Sequence, residues 1–121
     1  MTSLAVTVAA GAGALCRYLL DRAVQERVGR RFPLGTAIVN LSGSFLLGVV
    51  TGLFLHHGFD SVATVVIGAG FAGGYTTLST WAWETLALAD RESVVRAAVY
   101  GAGSVLAGLA AAGAGLGLGL L

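Results

Sequence analysis

Gly70-Phe71-Ala72-Gly73-Gly74-Tyr75-Thr76-Thr77-Leu78-Ser79-Thr80 lies in the middle of an apolar run from Ser61 to Ala89 whose single charge is Glu84. The 29 residues of that run, at about 1.5 Å of rise each, make a helix longer than the roughly 30 Å hydrocarbon core of a bilayer, so the run tilts or breaks. Twelve residues precede the Gly73-Gly74 pair and 15 follow it. Paired glycines with nearby hydroxyls favour an interruption. Non-helical backbone at membrane depth is tolerated only where it is buried in protein or lines a cavity. The run therefore reads as two half-helices with a break near 73–76. A kinked but continuous helix, its small residues forming a packing seam, is the alternative.

Three further runs are long enough to span. Thr2 to Leu20 carries one charge, Arg17, near its end, and Leu34 to Leu55 and Ala97 to Leu121 carry none. Nothing basic precedes the first run, which distinguishes it from a signal peptide, and Pro33 suits the start of the second helix. Composition agrees, since 56% of the 121 residues are hydrophobic and 11% charged, against roughly a quarter charged in soluble domains. The sequence predicts an all-α integral membrane protein. It forms one domain of four transmembrane helices, at about 2–20, 34–55, 61–89 and 97–121. Cys16 is the lone cysteine, which excludes an intrachain disulfide and a cysteine-based zinc site. A formal charge of +1 leaves no basic field for nucleic acid. His56 and His57 read as interfacial anchors, since no further ligands accompany them. No hydrolytic triad, phosphate loop or carboxylate pair is present, so an enzyme is not expected.

The arginines are distributed unevenly. Arg22, Arg27, Arg30 and Arg31 fall in the first connection and Arg91 and Arg96 in the third, while both ends and the stretch from His56 to Asp60 have neither Lys nor Arg. Cytoplasmic loops accumulate these residues, which puts both termini outside a plasma membrane.

Polar residues inside the spans fall at helical spacing. Thr36, Asn40 and Ser44 share one face of the second helix, and Tyr100 and Ser104 share one face of the fourth, with Gly108 next in line. Such stripes serve as hydrogen-bonding glue between helices or, beside a broken helix, as a polar track. Gly48 with Gly52, Gly70 with Gly74, and Gly113 with Gly117 permit close helix approach. Glu84, an ionisable group within a span, is a functional candidate. Four helices enclose too little for a wide conduit, so transport would need a dimer.

These motifs, in order, resemble the small fluoride channels of the Fluc or CrcB family. Gly13-Ala14-Leu15-Cys16-Arg17-Tyr18 is similar to its first-helix signature. Phe32-Pro33-Leu34-Gly35-Thr36 and Val39-Asn40-Leu41-Ser42-Gly43-Ser44-Phe45-Leu46-Leu47-Gly48 resemble the second, and residues 70–80 with Glu84 downstream resemble its broken third helix. The resemblance implies a passive fluoride channel in a bacterial or archaeal plasma membrane, embedded in lipid as an antiparallel dimer. It implies a sodium ion buried at the dimer centre, held by the backbone carbonyls of Gly73 and Thr76. The same resemblance sets Asn40, Thr36, Ser79, Thr80, Trp81, Tyr100, Ser104 and Glu84 along the fluoride pathway and gives Arg17 the role of attracting anions. The family box Thr-Thr-Phe-Ser-Thr-Phe stands here as Thr76-Thr77-Leu78-Ser79-Thr80-Trp81. Leucine has no aromatic edge to offer an anion, whereas Trp81 keeps one and adds an N–H. A small proton-coupled drug exporter would need a carboxylate in the first helix, and Thr2 to Leu20 has none. A purely structural subunit would leave the polar stripes unexplained.

A chain that inserts both ways should have balanced arginines, but the count here is six loop arginines against none. The expected assembly is therefore a heterodimer with a homologous chain of opposite orientation, in preference to a homodimer. In a Cys16-free background, Arg30→Cys should label from the cytoplasmic face of native membranes and His57→Cys from the periplasmic face. Equal labelling of both from the periplasmic side would refute the fixed orientation.

Overall fold

The computed structural model describes residues 1–29 and 32–121. Arg30 and Arg31 of the basic connection lie outside the described residues. Helix α1 is Thr2–Val28 and α2 is Leu34–His57. The third span consists of α3 (Ser61–Val65), a π-helical stretch (Val66–Ala72), α4 (Gly73–Tyr75) and α5 (Leu78–Arg91), and α6 (Val94–Leu120) completes the chain. Four helical spans are long and apolar enough to cross a membrane. The protein is an all-α, multi-pass membrane protein.

Helix α1 runs eight residues past the expected end at Leu20. The cause is a solvated ladder on its last turns. Gln25 Nε2 donates to Asp21 Oδ2 at 3.1 Å and Arg22 Nε to Glu26 Oε1 at 3.2 Å, pairs of the four-residue spacing that stabilises helices by a few tenths of a kcal/mol each. The other boundaries follow from caps. Asp60 Oδ2 accepts from the Ala63 N–H at 2.8 Å and Ser93 Oγ from the Arg96 N–H at 3.0 Å, which starts α6 three residues before Ala97. Gly58 closes α2 in the left-handed region at φ 63°, where only glycine is free of strain.

The third span breaks, but not at its glycines. Gly73 is helical at φ −62°, ψ −41°, and the extended residues are Thr76 (φ −81°, ψ 159°) and Thr77 (φ −145°, ψ 122°). The glycine pair packs instead of bending: a Cβ on Gly74 would run into the carbonyl of Ala10. Gly70 rests on Val6 and Ala9, and Gly13 on the backbone of Phe71 and Tyr75, so α1 meets the third span backbone to backbone.

A second glycine seam joins α2 to α6. Gly48 sits on the Ala112 carbonyl, Gly115 on that of Phe45, and Gly119 on that of Val49 and on Gly52. The expected pairs Gly48/Gly52 and Gly70/Gly74 are thus in contact seams. Gly113 and Gly117 are not, since no described residue of another helix lies within 4 Å of a Cβ built on either. The buried stripe of α6 passes through Ala97, Tyr100, Gly101, Gly115 and Gly119. Two positions away is about 200° around the helix, and there Gly113 and Gly117 face outward.

Gly115→Val should overpack the seam and cost about 1–3 kcal/mol or more. Gly103→Ala, with nothing within 4 Å, should be neutral or stabilising through helix propensity. Thermal unfolding of the two variants in one detergent, followed by circular dichroism, checks the contrast.

Candidate functional site at the helix break

At the break, the side chain of Asn40 takes over the role of helix backbone. In a continuous helix the Thr77 N–H would bond the Gly73 carbonyl and the Thr80 N–H the Thr76 carbonyl. Here the Thr77 N–H donates to Asn40 Oδ1 at 2.9 Å, and the Thr80 N–H to Thr77 Oγ1 at 3.2 Å. Asn40 Nδ2 in turn donates to the Thr77 carbonyl at 3.0 Å. One amide therefore satisfies both backbone groups of Thr77, and Thr77 itself caps α5. The carbonyls of Gly73 and Thr76 are released from their helical donors.

This junction opens onto a groove of about 430 Å³ between α2, the third span and α6. Asn40 and Ser44 line it from α2, Ser104 and Gly108 from α6, and Gly73, Thr76, Leu78 and Trp81 from the third span. The two polar stripes meet, for a Cβ on Gly108 would lie 3.7 Å from Ser44 Oγ. The upper members of the stripes are elsewhere. Thr36, 3% exposed, donates its hydroxyl to Glu84, and Tyr100 is buried with Leu88 and Ala97, its ring edge-on to Phe32 at 5.5 Å. Trp81 packs on that cluster while lining the groove.

A smaller cavity, about 140 Å³, lies on the other side of the break and is bordered by Arg17, Asp21, Thr36, Thr77 and Thr80. A third, about 260 Å³, is bordered by Gln25, Trp83, Glu84 and Arg91 at the arginine-bearing end. The Thr36 to Glu84 hydrogen bond joins a residue of one cavity to a residue of the other. Ser79 stands apart from the rest. It is exposed, borders none of these three cavities and sits 3.4 Å from Thr77 Oγ1 through its own hydroxyl.

Thr77 is the residue of the break that sequence reasoning left without a part. Its signal was present, as a hydroxyl residue immediately before the run that resumes at Leu78 is a standard N-cap. No grouping of three or more His, Cys, Asp or Glu side chains suited to a metal occurs among the described residues. Backbone carbonyls are the hard donors that this site offers a cation.

Comparison with known proteins shows the family of the chain. The family model described as CrcB-like protein, Camphor Resistance (CrcB), matches residues 4–116. The chain is 45% identical over 116 residues to fluoride-specific ion channel FluC 1 of Leifsonia xyli subsp. xyli, covering 96% of this chain and 85% of that one. It is 42% identical over 120 residues to fluoride-specific ion channel FluC 2 of Cutibacterium acnes, covering 98% of each. FluC 2 of Mycobacterium bovis is 42% identical over 109 residues, covering 90% of this chain and 83% of that one. With four spans, a third span broken at Thr76-Thr77 and a match over nearly its whole length, the chain belongs to the CrcB family.

Proposed function

We propose that the chain is one subunit of a passive, fluoride-selective channel that releases cytoplasmic fluoride across a bacterial plasma membrane. The observation that carries this reading is the polar break at membrane depth, where Asn40 is tied to Thr77 and the groove beside it gathers Ser44, Thr76 and Ser104. Fluoride is small and costly to dehydrate, so a selective path must replace its water with close hydrogen-bond donors. Hydroxyls and amides supply these without the conformational cost of long charged side chains. The names of the relatives point to the same ion. Arg17, beside Thr80 in the cavity next to the break, supplies positive potential for an arriving anion. Glu84 would repel one when ionised, and the Thr36 hydroxyl holds its carboxylate against α2.

The assembly we propose is an antiparallel dimer. Leu78 is 75% exposed at the groove, an apolar side chain placed where a second subunit would cover it. The arginine bias favours a homologous partner of opposite orientation over a second copy, with both termini of this chain outside. A sodium ion fits the Gly73 and Thr76 carbonyls, because both have lost their helical donors and hard cations take oxygen ligands. When bound, it would neutralise the carbonyl dipoles and tie the two breaks together.

Reconstituted with any partner it requires, the protein should release fluoride from liposomes at least a hundredfold faster than chloride; equal rates for the two ions would overturn the reading. Asn40→Leu leaves the Thr77 N–H without its acceptor and takes one of two donors from the Thr77 carbonyl, which still accepts the first bond of α5, a loss of about 1–3 kcal/mol. That variant should therefore lose most of its fluoride flux and some thermal stability together. Thr76→Val, which keeps the carbonyl, should be the milder change. Exchange of sodium for N-methylglucamine should shift the assembly toward monomer on size-exclusion chromatography.

A further inference from the structure

Two arginines of α1 each have an acid four residues further on, and only one of the two is paired with it. Arg22 Nε meets Glu26 Oε1 at 3.2 Å. Arg17 and Asp21 have the same spacing and the same order along the helix, which brings such side chains within reach. No ion pair joins them, and among the described residues Arg17 has no salt-bridge or hydrogen-bond partner. Exposure works the wrong way to explain this. Arg22 and Glu26 are exposed, whereas Arg17 and Asp21 are both half-buried and border the same cavity of about 140 Å³ beside the break. Opposite charges attract more strongly as water is removed from between them, so other groups must hold this pair apart.

The Asp21 carboxylate is held from two sides. Oδ2 accepts from Gln25 Nε2 at 3.1 Å, one turn further along the helix and away from Arg17. Oδ1 lies over Gly35, where even a Cβ would strike it, so this buried glycine makes the bay that receives the carboxylate. Glu84, the carboxylate that follows the break, is likewise held by a neutral donor, the Thr36 hydroxyl. Arg17 thus faces its cavity with no carboxylate in contact.

We infer that Gln25 is a positioning residue for anion capture: with Gly35 it keeps the Asp21 carboxylate off Arg17, and an Arg17–Asp21 ion pair is the low-capture alternative that it prevents. The inference rests on the fluoride-channel reading and deepens it. The Gln25 amide donates but carries no charge, so it holds Asp21 without adding a positive centre that competes with Arg17 for the anion. Once paired, the guanidinium would commit its donors to a fixed carboxylate, and its field in the cavity would be cancelled at contact distance.

The test is fluoride efflux from liposomes by the assembled channel, measured against fluoride concentration, with Gln25→Leu and Asp21→Asn made singly and together. Asparagine keeps the shape over Gly35 and an acceptor for Gln25 but loses the charge. At low ionic strength Gln25→Leu should raise the half-saturating fluoride concentration about threefold or more with the maximal rate kept. The rise should shrink in molar sodium gluconate, where the screening length is about 3 Å. Asp21→Asn alone should lower the half-saturating concentration, and in that background Gln25→Leu should change nothing. Gln25→Ala should repeat the pattern, which separates the lost amide from the added leucine. A glutamine that only supports the helix would give an equal loss in both backgrounds. That result, or an unchanged half-saturation in Gln25→Leu, would overturn the inference and leave the channel reading intact. Absence of fluoride selectivity in the unsubstituted channel would instead remove the reading beneath it.

Discussion

Unpaired backbone in hydrocarbon is the constraint around which this protein is arranged, and the Asn40 to Thr77 pair is what meets it. A helix broken in the bilayer exposes amide groups that lipid cannot satisfy, each at a cost of several kcal/mol. The Asn40 side chain is the right size to imitate a peptide group, with one donor and one acceptor side by side, and it uses both on the same residue. Its position on the second turn of α2 then fixes where α2 must lie against the third span. The groove, the capping of α5 by Thr77 and the release of the Gly73 and Thr76 carbonyls all descend from that contact.

The glycine seams make the contact reachable. A side chain as short as that of Asn40 reaches the Thr77 backbone only if α2 lies close to the third span, where Gly43 sits against Thr76 and Tyr75, while other glycines bring α2 onto α6 and α1 onto the third span. The protein binds little through a conventional core. Val39, Leu88 and Tyr100 are its largest fully buried side chains, and many leucines and valines face outward, as they should where lipid tails are as apolar as the interior. Close backbone approach, dispersion contacts and a few interhelical hydrogen bonds take the place of hydrophobic burial. The polar stripes are read best in that light. Asn40 and Thr36 are at once glue between helices and part of the site, so the two explanations of such stripes are not rivals here.

Much of this was legible in the residues. Four apolar runs, the interruption of the third and the common face of Thr36, Asn40 and Ser44 follow from hydropathy and helical period. The exact seat of the break was not, because a Gly73-Gly74 pair announces flexibility and packing with the same letters. Only the presence of Ala10 across the seam decides between them. The length of α1 was hidden for a related reason: hydropathy marks where lipid ends, whereas the Asp21-Gln25 and Arg22-Glu26 pairs carry the helix on into water. Gly113 and Gly117 have the same spacing but stand out of phase with the stripe of α6 that meets α2, and spacing alone does not tell a seam within the chain from a surface offered to another subunit. The burial of the Trp81 indole N–H and the Tyr100 hydroxyl could not be foreseen, since depth in a fold is a property of neighbours and not of a residue type.

The seam between α2 and α6 has a bearing on how the chain is made. Its two sides are separated by the whole third span, so Gly48 and Gly52 emerge from the ribosome well before Gly115 and Gly119 exist to receive them. Contacts so distant in sequence form late and leave a nascent chain exposed while it waits. A ribbon of bare glycine backbone on α2 must stay unpaired in the membrane until the final helix arrives. The 27 residues of α6 therefore complete the seam only at the end of synthesis. A chain that stopped before them would leave Gly48 and Gly52 without the surface they pack on, and so would not be a smaller version of the fold.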